Sequence, residues 1–550
     1  MNSTFDYVIV GAGSAGCVLA NRLTEDGRTT VLLLEAGPED RYPWIHVPIG
    51  YGRTMHHPEL NWRFWTEPDP HMNGRKIYWP RGRTLGGSSS INGLIQIRGQ
   101  HEDFDEWERL GATGWNSRET LRYFVRSERN SRGASAQHGG DGPLWVSDVA
   151  NRGELADAFI RAAGEVGIPP TDDFNGERQE GAGYLQITTR KGWRCSTSVG
   201  YLRPARHRSN LTVLTDAHVL AVTFEGRRAS GVRWRRHGAE STVRAGREVI
   251  LTAGALQSPQ LLQLSGIGSA ALLAEHGIPL VADLPGVGEN LQDHLALRMM
   301  FRCTKAITTN DDLRTLWSKA RIGLRFALFR SGPLAVGVMS AAAITTLLPE
   351  SRTPDTQLFL STVSATERGA QPHPFPGFTI AYYPLRPTSR GYVRIRSRDP
   401  MQPPAMLANY LSTEYDRRLT IEGARLVRRL AAAKALAPLV AEELQPGPTV
   451  STDDELLAAA REHGSSGYHP CGSCRMGTDE RAVVDPRLRV RGVDGLRVCD
   501  ASVMPLLVSG NTNAATIMIA EKAADLIRED AAEATRSAAA AADRRQGVPA

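Results

Sequence analysis

The chain has 550 residues, of which 41% are hydrophobic and 23% charged, so it can bury a large core and is long enough for two domains. Its 65 basic and 59 acidic residues leave a formal charge of +6, but the basic residues are spread along the chain, which argues against nucleic-acid binding. Six cysteines are too few for a disulfide framework in a chain of this length and favour a reducing compartment.

The sequence lacks the patterns expected for export or membrane crossing. No apolar run reaches the roughly 20 residues that a spanning helix needs. Residues 1–6 form neither the basic nor the apolar region of a signal peptide, because the first apolar run is already a predicted strand. We therefore expect a cytoplasmic protein, with peripheral contact to the inner membrane as the alternative.

The beginning of the chain predicts a strand, a glycine turn, a helix and a second strand. An apolar run at 7–10 leads into GAGSAG at 11–16, and a second apolar run at 31–34 ends in Glu35. An acid at this position is placed to accept hydrogen bonds from a ribose diol. The unit therefore predicts a dinucleotide site, and the acid makes NADP the least favoured ligand.

The three glycines of this turn have different predicted tasks. Gly11 lets the chain leave the strand in a tight turn, and Gly13 lets a pyrophosphate approach the backbone. Gly16 permits close packing of the helix on the strand. Exposed N–H groups at the helix start favour a negative charge, so the turn predicts an anion site.

A second glycine-rich segment follows a long aromatic loop. Residues 37–80 are rich in proline, glycine and aromatic residues and predict an extended covering loop. Then comes RGRTLGGSSSINGLIQIRG at 81–99, whose glycines and serines again keep the backbone bare. This segment predicts a second contact with a large polar ligand.

Residues 101–268 predict helices followed by strands that return to the first domain. Helices are predicted at 101–130 and 153–168, and strands at 211–214, 219–224, 231–236 and 248–252. The last strand leads into GALQSPQLLQLSGIG at 254–268, a predicted strand-to-helix turn. The turn follows the carboxyl end of a strand, where ligands bind in parallel sheets.

The pattern changes between 297 and 460. Strands are predicted at 297–302, 357–363, 378–384 and 391–397, and a long helix at 415–436. Their alternation and the proline-rich turns between them indicate an antiparallel sheet backed by helices. The segment 312–330 has helical spacing with basic residues, which favours a surface helix packed on the core and leaves a lid or a membrane contact as alternatives.

The last 90 residues contain a histidine loop and the start of a final helix. YHPCGSCRMG at 468–477 presents His469 on a loop, and a histidine there is a candidate base because its ordinary pKa lies near about 6.5. A structural role is the alternative for a single histidine. His463, His469, Cys471 and Cys474 superficially resemble a zinc site, but no second ligand pair at wider spacing is evident, so we expect no metal.

Taken together, these segments resemble the glucose-methanol-choline (GMC) family of flavin oxidoreductases. The resemblance rests on GAGSAG with Glu35, RGRTLGGSSSINGLIQIRG, GALQSPQLLQLSGIG, LPGVGENLQDH at 284–294, HPCGSCRMG and GNTNAATIMIAEKAAD, and it runs from residue 5 to about 528. Within the family the chain is most similar to choline dehydrogenases and to alcohol dehydrogenases that use an acceptor other than NAD.

The resemblance implies an α/β fold with a Rossmann-like FAD-binding domain and an inserted α+β substrate domain built on an antiparallel sheet. It places the FAD-binding domain at 1–152, 205–296 and 464–530, and the substrate domain at 153–204 and 297–463. The Ala-rich tail, 531–550, is predicted to be disordered or a frayed helix.

The resemblance also implies which residues bind FAD. The adenine and ribose are assigned to the first turn, the pyrophosphate and isoalloxazine to the second glycine segment, and the ring edge to the start of the last helix. The implied set is Gly11, Gly13, Ser14, Ala15, Gly16, Glu35, Ala36, Leu85, Gly86, Gly87, Ser88, Asn92, Gly93, Leu94, Ile95, Val219, Ala253, Gly254, Tyr468, Asp500, Ala501, Asn511 and Thr512. Some members attach FAD through a histidine where this chain has Ile91, so non-covalent FAD is expected.

By the same resemblance the chain oxidises a primary alcohol by hydride transfer to flavin N5, with His469 as the base and Asn513 as its partner. A quinone-type acceptor is favoured, while an O₂-using oxidase, a choline dehydrogenase and, more remotely, a hydroxynitrile lyase are alternatives. Choline-type relatives carry an acid where this chain has Ser340, so a neutral alcohol of medium length or a benzylic one is expected.

Overall fold

The computed structural model describes residues 4–150, 152–366 and 369–546. Two seven-stranded sheets organise this part of the chain. Their strands, numbered along the chain, are β1 Thr4–Val10, β2 Val31–Leu34, β3 Gly181–Tyr184, β4 Leu211–Leu214, β5 His218–Glu225, β6 Arg228–Arg236, β7 Ala239–Leu251, β8 Leu295–Cys303, β9 Met339–Thr345, β10 Thr356–Ser361, β11 Gly377–Pro384, β12 Val440–Gln445, β13 Ser465–Ser466 and β14 Leu496–Val498.

The longer helices surround these sheets. They are α1 Ser14–Leu23, α2 His101–Arg109, α3 Ser117–Ser127, α4 Glu154–Glu165, α5 Gln257–Leu264, α6 Leu316–Phe329, α7 Glu414–Ala432, α8 Asp453–His463 and α9 Thr512–Gln546. Short strands are Phe64–Trp65, Tyr78–Trp79, Glu128–Asn130, Leu144–Asp148, Gln186–Ile187, Thr189–Arg190, Trp193–Arg194, Ile267–Gly268, Ala282–Asp283, Tyr392–Arg394 and Ala405–Leu407, and short helices are Pro43–His46, Tyr51–Thr54, Arg203–Ala205, Ala270–Glu275 and Thr309–Arg314.

The first sheet has the order β4-β2-β1-β7-β6-β5, and β14 also pairs with β7. β4, β2, β1, β7 and β14 are parallel, whereas β6 and β5 continue the sheet as antiparallel strands. Val8 and Ile9 of β1 are fully buried, as expected for a parallel strand that is covered on both faces. The carboxyl ends of β1, β7 and β14 therefore meet at one edge of the sheet.

The last helix is attached to the first sheet's layer through one buried carboxylate. Glu521 of α9 accepts hydrogen bonds from Arg22 of α1 at 2.8 Å, from Arg126 of α3 at 2.8 Å and from the Tyr201 hydroxyl at 2.7 Å. Its side chain is fully buried, so these donors compensate for the water it loses. α9 is thereby held against α1 and α3.

The second sheet has the order β12-β8-β11-β10-β9-β3 and is antiparallel, with β13 also paired to β8. The sequence predicted alternating exposure along its strands, but every residue of β10 and β11 is buried. Helices α4, α7 and α8 cover one face, and the other face borders the apolar cluster and cavity between the two sheets. This sheet therefore has no solvent-facing side at its centre.

The predicted fold class is confirmed: a Rossmann-like parallel sheet is combined with a separate antiparallel sheet backed by helices. The exact domain boundaries stay a prediction. The predicted strand at 391–397 is shorter, Tyr392–Arg394, and the predicted helix at 312–330 is divided into Thr309–Arg314 and α6.

Two further sequence features are described by the structure. The Ala-rich tail continues α9 as a helix to Gln546, and 547–550 lie outside the described residues. Among the described residues, no helix is long and apolar enough to cross a bilayer.

The packing of α1 on the first sheet can be tested at Gly16. A Cβ at this position would lie 1.9 Å from the Gly11 carbonyl oxygen, so we expect Gly16→Ala to lower the free energy of unfolding by about 1–3 kcal/mol or more. Gly323 of α6 is the matched control, because a Cβ there meets nothing within 4 Å and alanine favours a helix by roughly 1 kcal/mol. Thermal unfolding followed by circular dichroism measures both, and a Gly16→Ala midpoint equal to that of Gly323→Ala would contradict this packing.

Candidate active site

A cavity of about 610 Å³ extends from the carboxyl edge of the first sheet to the inner face of the second sheet. The β1–α1 turn and the segments after β7 and β14 line one end. Side chains of β8, β9, β10 and β11 line the other end. A ligand in this cavity would contact both sheets.

The two glycine segments meet at the first end of the cavity. Gly11 has φ +102° and Gly87 has φ +50°, conformations that glycine tolerates best. A Cβ on Gly87 would lie 2.7 Å from the Gly13 Cα, whereas the nearest atom to a Cβ on Gly13 is 3.8 Å away. The backbones of the two turns thus lie close together, and the space beside Gly13 remains open. These two turns are called the glycine cradle.

Glu35 closes this end of the cavity. Its two carboxylate oxygens accept hydrogen bonds from the backbone N–H groups of Ala12, at 2.8 Å, and Gly37, at 2.9 Å. Burial raises the pKa of Glu35 to about 7 in spite of these donors. The predicted ribose-binding acid therefore lines the cavity and is poised to change charge near neutral pH.

Most residues of the predicted set line this one cavity. Three do not: Gly16, Leu85 and Gly86. Gly16 packs closely against the Gly11 carbonyl group, and Leu85 is buried in the core. Gly86 donates its N–H to the Ala12 carbonyl oxygen at 2.7 Å. These three residues support the backbone of the two glycine turns without lining the cavity.

His469 lies between two polar neighbours at the middle of the cavity. Its Nδ1 is 2.9 Å from Nδ1 of His294, and its Nε2 is 3.0 Å from Nδ2 of Asn511. Nε2 of His294 is in turn 2.8 Å from the Leu385 carbonyl oxygen. Four groups thus form one hydrogen-bonded chain that ends in the cavity.

The chemistry of these groups assigns the protons along the chain. Burial lowers the pKa of His294 to about 4, so its ring is neutral at working pH. The Leu385 carbonyl only accepts, so His294 carries its proton on Nε2 and offers a bare Nδ1. His469 must then donate from its own Nδ1, which leaves Nε2 as a lone pair that accepts from Asn511.

The partner of His469 differs from the sequence prediction. Asn513 was predicted, but its Oδ1 accepts a hydrogen bond from the Ser14 hydroxyl at 2.7 Å. Asn511, which directly precedes α9, contacts His469 instead. Oδ1 of Asn511 is buried and has no hydrogen-bond partner among the described residues.

A buried carboxylate fixes the loop that carries His469. Asp293 accepts from the His469 backbone N–H at 2.7 Å, from the Ser466 hydroxyl and from the Tyr410 hydroxyl. Tyr468 has φ +70°, a strained conformation for a non-glycine residue, and the adjoining hydrogen bonds hold it there. The base therefore has a fixed position.

Sequence reasoning assigned no role to Asp293 and His294. Both end the segment LPGVGENLQDH, which was used for the resemblance. The available signal was an acid and a histidine directly before the apolar run of β8, where the chain enters the buried sheet.

Two other predicted residues have roles within the protein. The Asp500 carboxylate lines the cavity but accepts from the Gly254 N–H at 2.8 Å, from the Ser258 hydroxyl at 2.6 Å and from the Ser502 N–H at 2.8 Å, so it ties two loops together. Asn92 accepts from the buried Arg194 guanidinium at 2.7 Å.

The far end of the cavity is largely apolar. Among its described lining residues, the carboxylates are Glu35 and Asp500, both at the first sheet's edge. Ser340, the position predicted to face the substrate, does not line the cavity, whereas Met339 does. The pairing of β9 with β10 shifts register between Met339 and Ala341, the two neighbours of Ser340.

The cysteines near His469 are buried thiols. Within the described part of the chain, no group of three or more histidine, cysteine and acidic residues could hold a metal ion. All six cysteines are free and buried. Burial raises the pKa values of Cys471 and Cys474, which therefore remain neutral thiols.

Comparison with known proteins identifies the family. The sequence matches the family models of GMC oxidoreductases over residues 5–296 and 387–520. The chain belongs to the GMC oxidoreductase family. GMC oxidoreductases bind FAD, which agrees with the glycine cradle and Glu35.

The curated relatives are similar along nearly the whole chain. Mouse mitochondrial choline dehydrogenase is 44% identical over 533 residues, which are 95% of this chain and 89% of the relative. The acceptor-linked alcohol dehydrogenase of Pseudomonas putida and the oxygen-dependent choline dehydrogenase of Brucella ovis are also 44% identical, each with 95% of both chains covered.

Solved structures of GMC-like enzymes share the fold. Pyridoxine 4-oxidase from Mesorbium loti superposes with a TM-score of 0.87 at 31% identity and covers 96% of this chain and 99% of its own. Formate oxidase from Aspergillus oryzae superposes with a TM-score of 0.90 at 27% identity, with 96% and 98% covered.

We expect the charge of Glu35 to make FAD binding dependent on pH. Ribose hydroxyls donate to the ionised carboxylate, so binding releases the proton that Glu35 holds with a pKa of about 7 in the protein alone. We therefore expect the Kd for FAD to rise as the pH falls through about 7 and to level off above it. Titration of apoprotein with FAD between about pH 6 and pH 8, followed by flavin fluorescence, measures this.

The matched control for this prediction is Glu35→Gln, which retains an acceptor oxygen but cannot ionise. The variant should bind FAD more weakly at high pH and with a Kd that no longer changes with pH. A parent Kd that is constant across the same range would contradict the role assigned to Glu35.

Proposed function

We propose that this GMC oxidoreductase is an FAD-dependent alcohol dehydrogenase that oxidises a neutral primary alcohol to the aldehyde. The observation that carries the proposal is the position of the His469 Nε2 atom, 3.0 Å from the Asn511 amide, in the cavity that also contains the glycine cradle. The choline dehydrogenases and the acceptor-linked alcohol dehydrogenase among the relatives support this class of reaction.

The residues present fit FAD. The open space beside Gly13 suits a pyrophosphate, and Glu35 suits a ribose diol. The buried Oδ1 of Asn511 still needs a donor, which a bound ligand in the cavity would provide. Ile91 has no nucleophilic atom at the position where some members attach the cofactor, so we propose that FAD is held without a covalent bond.

When bound, FAD supplies the hydride acceptor, and the chain's own residues manage the proton and the oxygen of the alcohol. An alkoxide is too basic to form freely near neutral pH, so a positioned base must take the hydroxyl proton. The lone pair on Nε2 of His469 is that base. Asn511 has a second N–H with which it can hold the substrate oxygen.

His294 orients the base and stabilises its protonated form. When His469 gains a proton on Nε2, its Nδ1–H still donates to the bare Nδ1 of His294. Because His294 has a pKa of about 4, the proton stays on His469. A neutral histidine thus serves where other enzymes place a carboxylate, and it leaves no permanent negative charge beside the base.

Removal of the base tests the proposal. We expect His469→Ala to retain FAD and to slow anaerobic flavin reduction by an alcohol at least about a hundredfold, the usual effect of a positioned acid–base group. Stopped-flow absorbance of the flavin measures this rate. Near-normal reduction would refute the assignment of His469.

Matched variants separate the roles of the neighbours. Asn511→Ala should slow flavin reduction more than Asn513→Ala, since only Asn511 contacts the base. His294→Phe should retain the stacking on Tyr383 but remove the acceptor for His469, so it should slow reduction and shift its pH dependence. The reverse order for the two asparagines would restore Asn513 as the partner.

A lyase on this fold is the alternative from another class of enzyme. It would bind FAD without reducing it. Anaerobic addition of aliphatic and aromatic primary alcohols distinguishes the two, because a dehydrogenase bleaches the flavin band and a lyase does not.

The lining of the cavity supports a neutral substrate over choline. A buried quaternary ammonium needs a nearby anion or an aromatic cage. The two carboxylates that line the cavity are already bound by backbone donors near the first sheet, so a site for choline would have to use the aromatic side chains of the lining, such as Trp44, Tyr51 and Trp62. An aliphatic alcohol gains roughly 0.8 kcal/mol for each buried methylene. We therefore expect kcat/KM for 3,3-dimethylbutanol to exceed that for choline, measured with a dye acceptor, and a clear preference for choline would overturn this substrate class.

We propose a quinone-type compound as the electron acceptor, supported by the acceptor-linked alcohol dehydrogenase among the curated relatives, with O₂ as the alternative that the oxygen-dependent choline dehydrogenase favours. The reduced enzyme should be reoxidised faster by a soluble quinone than by air. Double-mixing stopped-flow compares the two rates in one preparation. Equal rates would make the protein an oxidase, like the pyridoxine 4-oxidase whose fold it shares.

A further inference from the structure

Helix α6, Leu316–Phe329, presents an apolar surface to solvent. Five of the eleven exposed large apolar side chains in the described chain belong to it, and they are between 60% and 85% exposed. They are Leu316, Trp317, Leu324, Leu328 and Phe329. These five residues are called the α6 patch below. A contiguous patch of this kind marks an interaction surface.

The α6 patch faces away from the protein. Ile322 and Phe326 are buried and hold the helix on the body of the chain, where Phe326 packs edge-on against Trp193 at 5.0 Å. At about 100° per residue, Trp317, Leu324 and Leu328 lie on the opposite side of the helix from these anchors. Both sides of α6 are therefore apolar, and one of them meets solvent.

The charged residues of α6 itself are all basic. Residues 314–330 contain five basic and no acidic residues, namely Arg314, Lys319, Arg321, Arg325 and Arg330. Arg321 and Arg325 are exposed beside the patch, and Asp312, 3.5 Å from Arg321, belongs to the preceding short helix. An apolar face with cationic flanks complements an anionic lipid surface.

We propose that α6 is a docking helix that lies in the plane of an anionic membrane. Its 14 residues extend about 21 Å, too short to cross a bilayer but sufficient to lie along its surface. In this arrangement Trp317, Leu324 and Leu328 enter the boundary between headgroups and acyl chains, and the arginines contact anionic headgroups. The peripheral contact that the sequence left open is thereby assigned to one helix face.

Docking through α6 would bring the cavity to the membrane. Leu313 and Lys319 line the cavity at this helix, and Leu334 lines it just beyond. An apolar alcohol or a quinone dissolved in the bilayer would then reach the cavity without crossing water. This consequence rests on the proposed function, whereas the docking itself does not.

Flotation of the holoenzyme with lipid vesicles tests the docking. Vesicles of phosphatidylglycerol and phosphatidylcholine should bind the protein, and vesicles of phosphatidylcholine alone should bind it weakly. Leu324→Glu with Leu328→Glu should lower the bound fraction at least about tenfold, because two charges would enter the acyl boundary. The control is Leu280→Glu, a change of the same chemistry at an exposed leucine outside the α6 patch.

A second pair of variants tests the charge contribution. Arg321→Gln with Arg325→Gln should weaken binding to anionic vesicles and reduce its dependence on salt. The Leu324 and Leu328 changes should leave turnover of a water-soluble alcohol with a soluble dye unchanged, since neither side chain lines the cavity.

Three results would overturn the proposal. These are a parent protein that does not float with anionic vesicles, variants that float as well as the parent, or a dimer in solution that the leucine substitutions dissociate. Light scattering measures the last of these, which would assign the α6 patch to an interface between two copies. Flotation requires no turnover, so a failure of the proposed function would leave its outcome interpretable.

Discussion

The contact between the His469 and His294 rings joins the two halves of the molecule. His294 directly precedes the first strand of the antiparallel sheet, and His469 lies in the loop that returns the chain to the parallel sheet. Their Nδ1 atoms can approach to 2.9 Å only if one ring donates and the other accepts. The orientation of the base, the strained backbone at Tyr468 and the carboxylate of Asp293 beneath the loop all serve this single arrangement.

Buried carboxylates hold the site chiefly through backbone donors. Glu35, Asp293 and Asp500 each accept backbone N–H groups, and burial raises the pKa of each. Backbone donors are fixed by the fold and cannot swing away as an arginine side chain can, so these acids tie loops together with little loss of side-chain freedom.

The sequence predicted those parts of the site that depend on local geometry. GAGSAG, Glu35 and the second glycine segment lie on short turns whose backbone follows from the residues themselves, and they meet in one cavity. The partner of His469 could not be assigned in this way, because Asn511 and Asn513 differ only in their direction at the start of a helix. Nor could the sequence show that Met339 rather than Ser340 lines the cavity, because the register of β9 shifts between Met339 and Ala341.

The sequence also could not predict contacts between residues that are far apart in the chain. His294 and His469 are 175 residues apart, and only the folded chain shows that they touch. The exposure of α6 could not be predicted either, because its apolar residues are equally typical of a helix packed on the core. Only the folded structure shows that Ile322 and Phe326 are the buried residues of this helix.

The burial of every cysteine has a consequence for an enzyme that handles electrons. The thiolate is the form of cysteine that peroxide attacks, and burial keeps all six thiols protonated, with pKa values raised to about 12 for Cys17 and about 11 for Cys195. Any hydrogen peroxide released when reduced flavin meets oxygen would find no cysteine thiolate on the surface, since all six cysteines are buried. The fold thus protects the protein chemically from its own side reaction.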